Sequence, residues 1–197
     1  MDDPESANVA DMSLLPDTVP VVVSADGSAA GIQLCPALIL GSPQALPGAA
    51  KHIYSRLAAA ASEVDQGVPD LIISLISHGN SLSTKYMSSV EKGLKSFLTG
   101  CGTWIISSGE VNDPLSRVAS GALRNVLPQL ERQAEVLHVL VNSDDVIASD
   151  STSSKNVVDT SLNTLLLVCR KEATESSEDI AKLRAATAVK LAHPPPG

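Results

Sequence analysis

Between Asp70 and Arg124 the chain reads strand, turn, helix, strand, turn, helix without a break, and nothing else in it restricts the fold as tightly. Leu71-Ile72-Ile73-Ser74-Leu75-Ile76 is an apolar run that stops at Ser77-His78-Gly79-Asn80-Ser81. Met87, Val90, Leu94, Phe97 and Leu98 then recur at helical spacing as far as Gly100-Cys101-Gly102. Trp104-Ile105-Ile106 forms a second apolar run, and Ser107-Ser108-Gly109 ends it. Asp113-Pro114 opens another helical pattern through Leu115, Val118, Ala122, Leu123 and Val126, which Pro128 stops. Strands that alternate with helices in this way pair in parallel. Such a sheet gathers its loops at the carboxyl ends of its strands, where α/β proteins bind ligands.

The alternation extends to both sides. Residues 136–141, with His138 inside them, and 165–168 are continuous apolar runs, the pattern of strands covered on both faces. The β-branched run over 19–23 contains Pro20, which suits an edge strand, and 32–40 is strand-like around Pro36. A helix is expected between Gly48 and Gly67, with Ile53, Leu57, Ala60, Ala61 and Val64 on one face. The last helix is expected from Ser176, where Asp179 completes a capping-box pattern, with Ile180, Leu183, Thr187 and Leu191 facing inward. Residues 142–155, rich in Ser and Asp, are expected to form a loop. The fold class is therefore α/β, three layers around a largely parallel sheet. It should occupy residues 19–192, behind a disordered acidic lead (1–18) and ahead of a flexible tail (193–197).

A length of 197 residues fits one such domain. Hydrophobic residues make up 44% but aromatics only 2%, so aliphatic side chains must fill the core. The net charge of −8, with no basic patch, argues against nucleic acid or an anionic membrane surface as partners. Cys35, Cys101 and Cys169 are odd in number and widely spaced, which suits neither a disulfide framework nor a metal site. Reduced thiols in the cytoplasm are the expectation. No apolar run approaches the ~20 residues of a membrane span, and the acidic start is unlike a secretory signal. No direct membrane insertion is expected of this chain.

Two turns are candidates for ligand binding. In the first, Ser77, Gly79, Asn80 and Ser81 precede a helix, whose free N–H groups and dipole suit a phosphate. The competing reading is an ordinary turn in which Ser81 or Ser83 caps the helix. In the second, Ser108, Gly109 and Asn112 offer the same physics, but Glu110 and Asp113 put negative charge where a phosphate would sit. Asp113 before Pro114 is itself explained as a helix cap. Lys85 and Arg117, each one turn into the following helix, are candidate rim cations. His78 has no nucleophile or carboxylate at a fixed spacing, and no H-E-x-x-H, G-x-S-x-G, Walker or dinucleotide-binding signature occurs. Cys101 has no charge partner, and Trp104 is expected to plug the core. No catalytic and no metal site is expected.

One family matches these residues. Asp70-Leu71-Ile72-Ile73-Ser74-Leu75, Gly79, Lys92-Gly93-Leu94 and Gly102-Thr103-Trp104-Ile105-Ile106-Ser107-Ser108-Gly109 together resemble the cytosolic N-terminal melastatin homology region of TRPM cation channels, a Rossmann-like SLOG domain. The family's pattern there reads roughly L-x-I-S-V-x-G-G, K-G-L and T-G-A-W-I-I-T-G-G. The resemblance implies a regulatory ligand-sensing or assembly module of a calcium-permeable channel, not an enzyme, on the cytosolic face of the membrane. It also implies an ADP-ribose-type nucleotide as ligand, over Ser77, Gly79, Asn80, Ser81, Lys85, Ser108, Gly109, Asn112 and Arg117, and other subunits or domains of the channel as partners. The chain departs from the pattern where Ser77-His78-Gly79, Ser108 and Asp113 stand for glycines, and Leu167–Glu172 for a D-D-G-T turn. Two alternatives remain. One is a scaffold for protein contacts that binds no small molecule. The other is a glycosidase like the nucleotide-processing SLOG enzymes, whose P-G-G-x-G-T-x-x-E glutamate corresponds here to Ile106.

Overall fold

Each apolar run becomes a strand of one sheet. The computed structural model describes residues 18–25, 28–60, 68–77, 82–147, 157–173 and 176–193. In chain order the elements are β1 (Thr18–Ala25), β2 (Ser28–Leu40), α1 (Leu46–Ala60), β3 (Leu71–Ser74), α2 (Thr84–Gly100), β4 (Thr103–Ser107), α3 (Pro114–Val126), β5 (Leu137–Ser143), β6 (Thr164–Cys169) and α4 (Ser177–Ala192). The six strands lie in the order β1-β2-β6-β5-β4-β3. All neighbours are parallel except β1 and β2, which form an antiparallel hairpin. The molecule is thus a mixed α/β domain with a mostly parallel sheet, consistent with a Rossmann-like fold.

Every residue of β4 and β6 is buried, as strands covered on both faces require. On one face α1 and α4 enclose Leu40, Trp104, Ile106, Val139 and Leu167. On the other, α2 and α3 pack on Leu75, Ile105 and Val136. Beside them β1 and residues 146 and 158 cover Leu140, Leu166 and Val168. Trp104 fills the core as its size suggests. Its ring lies 5.2 Å from that of Tyr54 on α1, and the Tyr54 hydroxyl donates to the Leu191 carbonyl of α4.

Local chemistry sets most boundaries. Pro20 lies on the edge strand, and Pro36 sits where the ladder to β1 ends and the ladder to β6 begins at Ala37. Ser83 caps α2, Asp113 caps α3, and Ser176 with Asp179 forms the capping box of α4. Ile180, Leu183, Thr187 and Leu191 are all buried, as their spacing predicts.

Three expectations are corrected. Phe97 is 49% exposed, because it is turned aside from the Leu94 and Leu98 stripe that α2 buries. Asn142 and Ser143 extend β5 where a loop was expected, paired with Val168 and Cys169. The first helix begins at Leu46, ahead of Gly48, and is described as Leu46–Ala60; Ala61 and Val64, expected on its inner face, lie outside the described residues. Residues 1–17 and 194–197, most of the expected lead and tail, lie outside the described residues.

His138 is the polar exception in the core. It is fully buried, with Nε2 2.7 Å from the Ser107 hydroxyl and no partner for Nδ1 among the described residues. Burial pushes its pKa from 6.5 down to about 3, so the folded protein holds a neutral imidazole. The unfolded chain takes up this proton near pH 6.5 and the folded chain does not. The associated stability is therefore complete above that pH and declines as pH falls toward 3, by at most about 1.4 kcal/mol per pH unit. Urea denaturation should show the wild-type losing stability from pH 6.5 to 4.5. In His138→Gln, whose amide can still reach Ser107, that slope should flatten.

Candidate functional site

The carboxyl ends of β3 and β4 do meet, and what joins them is a carboxylate. Asp113 Oδ1 accepts hydrogen bonds from the Ser77 hydroxyl at 2.7 Å and the Leu115 N–H at 3.0 Å. Its Oδ2 accepts from the Ser108 and Ser116 hydroxyls at 2.8 and 2.9 Å. Partial burial alone would raise the pKa of this group. The donors from Ser77, Ser108, Ser116 and the Leu115 backbone outweigh that and hold it below the usual carboxylate value. An anion that belongs to the chain thus occupies the amino end of α3.

The backbone of the turn after β4 is equally committed. The Gly109 N–H donates to the Ser107 and Ser116 hydroxyls, and the Glu110 N–H to the Ser108 hydroxyl. The Val111 N–H donates to the Val157 carbonyl, and the Asp113 N–H to the Glu110 carbonyl. Residues 157–159 cross this turn as a strap, closed by the Asp159 N–H on the Gly109 carbonyl at 2.7 Å. Gly109 has φ +71°, and a Cβ there would stand 2.7 Å from Leu140 Cδ1, so only glycine fits.

The chains leaving β5 and β6 turn to opposite faces of the sheet, the arrangement that opens a crevice in α/β proteins. Here too the chain supplies its own acid. Asp144 accepts from the Lys171 N–H at 3.2 Å, and Asp145 pairs with the Lys171 ammonium. Arg184 of α4 reaches the strand ends and donates from Nε to the Val141 carbonyl at 3.0 Å. Burial lowers its pKa, while Glu110 and Asp113 act to raise it. Its charge faces two carboxylates. Sequence reasoning missed Arg184, whose only signal was a cation beside the inward stripe of α4.

Of the residues singled out from the sequence, Ser77, Ser108 and Gly109 come together around Asp113 or beside it. Asn112 is exposed in the turn and Lys85 is exposed in the first turn of α2. Gly79, Asn80 and Ser81 lie outside the described residues. Arg117 instead borders a separate cleft of about 260 Å³ between α2 and α3, with Arg124, Glu91 and Asp159.

No family model matches the chain. Over 196 residues it is 86% identical to Protein ced-11 of Caenorhabditis elegans, a match that covers 98% of this chain and 14% of that protein. The identification with the TRPM melastatin homology region is corrected on this finding. The protein that matches nearly the whole chain is named Protein ced-11 and not a TRPM channel, and the expected calcium-channel module that senses ADP-ribose goes with that identification. The residues that carried the resemblance have local explanations: Trp104 fills the core, Gly109 needs its positive φ, and Gly102 lies against Asp70. No helix among the described residues is long and apolar enough to cross a membrane.

Two substitutions test this geometry. Asp113→Ala removes a helix cap and the shared acceptor of three serine hydroxyls, so it should cost roughly 2–3 kcal/mol in urea denaturation at pH 7. Because the folded pKa is depressed, the contribution of this carboxylate is present above the unfolded value of 3.8 and disappears as pH falls below it. Gly109→Ala should cost about 1–3 kcal/mol through its backbone angle and the Leu140 clash. A loss below about 0.5 kcal/mol for either, the range of ordinary surface changes, would refute the corresponding account.

Proposed function

We propose that this chain is a non-enzymatic α/β domain of the cytoplasm that works through contacts with other protein segments. It takes no nucleotide at its strand ends. Support for the second statement is chemical. A phosphate there would meet the carboxylates of Asp113, Glu110 and Asp144 and a turn in which the Gly109, Glu110, Val111 and Asp113 N–H groups are already engaged. The position aligned with the glycosidase glutamate is Ile106, fully buried in the core. The three cysteines are free thiols, as suits a reducing compartment.

The observation that carries the contact reading is the β1–β2 hairpin. β2 pairs with β6 only over 37–40, so residues 28–35 have β1 alone as a described strand neighbour. There Ile32 and Leu34, on the same side of the strand, are 65% and 63% exposed. A two-stranded arm is marginal by itself in water. Burying two large aliphatic side chains is worth about 1.5–3 kcal/mol each, which favours a covered arm. The matched region makes up 14% of Protein ced-11, so a longer polypeptide of that type has ample chain to supply the cover.

Hydrogen exchange on this chain alone and within Protein ced-11 tests the reading. Amides matching 28–35 should exchange at least tenfold more slowly in the longer protein, a gain of about 1.4 kcal/mol in local protection. Equal rates in the two contexts would overturn it.

A further inference from the structure

The cleft between α2 and α3 is independent of the strand ends and has a different chemistry. Arg117 and Arg124 lie two turns apart on α3, so both border the same groove. Between them stands Gly121, where an added Cβ would meet nothing within 4 Å. The helix therefore leaves the floor of the groove open. Met87, Val111 and Val118 contribute apolar lining, and the volume is about 260 Å³.

The charges in and around this groove do not cancel. Arg124 holds Asp159 through both guanidinium NH₂ groups, one of them to Oδ2 at 3.3 Å, and the Asp159 side chain is only 7% exposed. Glu91 is paired with Lys95 at 2.7 Å. The Arg117 side chain has no ion pair or hydrogen bond among the described residues, which leaves the planar donor fork of its guanidinium open. A lone guanidinium at the lip of a half-apolar recess matches a carboxylate, which it can grip through two parallel hydrogen bonds. The volume falls just under the ~300–1,000 Å³ of drug-sized sites, which limits the remainder of the ligand to a short apolar tail.

We propose that the α2–α3 cleft binds a small carboxylate, its acid group on Arg117 and its aliphatic tail over Gly121 against Met87, Val111 and Val118. The carboxylate is either that of a free short-chain acid or the C-terminus of a peptide ending in an aliphatic residue. Both present the same group to Arg117.

Amide chemical shifts of the ¹⁵N-labelled chain, followed during titration, test the site. The probes are 4-methylpentanoate and N-acetyl-glycyl-leucine, each to about 20 mM, a range that captures even millimolar affinities. Saturable shifts are expected at Val111, Arg117 and Gly121. Arg117→Gln should weaken binding at least tenfold, since it removes the charged partner. Gly121→Leu, which fills the groove from an uncrowded position, should abolish binding, whereas Gly121→Ala should retain it. Lys85→Gln should change nothing. Tighter binding of the free acid assigns the source to a metabolite, and tighter binding of the dipeptide assigns it to a polypeptide terminus. The proposal is overturned if neither probe shifts these amides saturably, or if 4-methylpentanamide binds as well as the acid. It is equally overturned if binding survives both Arg117→Gln and Gly121→Leu.

Discussion

The Asp113 carboxylate is the point on which the rest of the architecture turns. It caps α3, receives the chain leaving β3 through Ser77 and receives the chain leaving β4 through Ser108. A partly buried carboxylate is costly when unpaired, but charge-assisted hydrogen bonds are roughly twice as strong as neutral ones, and here several converge on two oxygens. Two adjacent βα units are thereby tied at the end where a ligand would otherwise hold them. In a nucleotide-binding relative of this architecture, a phosphate serves as the anion at the helix start. Here the anion is covalently part of the chain, so the site is complete without a ligand.

Much of the fold was legible because the decisive signals are local. The apolar runs over 136–141, broken only by His138, and over 165–168 leave no polar face for solvent, and both became covered central strands. Asp113-Pro114 and Ser176 with Asp179 specify helix starts through hydrogen bonds that span only a few residues. What escaped depends on contacts remote in sequence. Nothing near Val157 announces that residues 157–159 will strap the turn after Ser108, since the bonds to Val111 and Gly109 cross some fifty positions. Phe97 has the spacing of a core residue, yet burial on α2 is decided by where α3 lies, and its neighbours Leu94 and Leu98 take that face. The candidate site fared similarly. Sequence placed Ser77 and Ser108 in one locale correctly, but only geometry reveals that both donate to the same carboxylate.

The misleading family resemblance has the same origin. A pattern of apolar strand, helix and glycine turn is what any compact βα unit needs, and here those positions answer to packing. Gly109 is imposed by Leu140, and Trp104 by the space beneath α1. Positions that would carry ligand specificity are those where the chain departs: Ser108 and Asp113 in place of glycines. A fold-level pattern argues for fold, and function has to be argued from the side chains at the site.

The contrast between two arginines shows where recognition can still occur. Arg184 reaches the strand ends, but it donates there to the Val141 carbonyl and lies in the field of the Glu110 and Asp113 carboxylates. Arg117 stands barely a turn from Asp113 in sequence, yet it lies along the groove beyond the capping network, where Arg124 is already matched by Asp159 and Glu91 by Lys95. Attraction for an anion depends on charge that the protein has not already neutralised. The strand ends, with Asp113, Glu110, Asp144 and Asp145 against Lys171 and one partly buried guanidinium, disfavour a second anion. The groove between α2 and α3 carries the surplus positive charge, so in this domain the place suited to an acidic ligand lies between two helices and away from the end of the sheet.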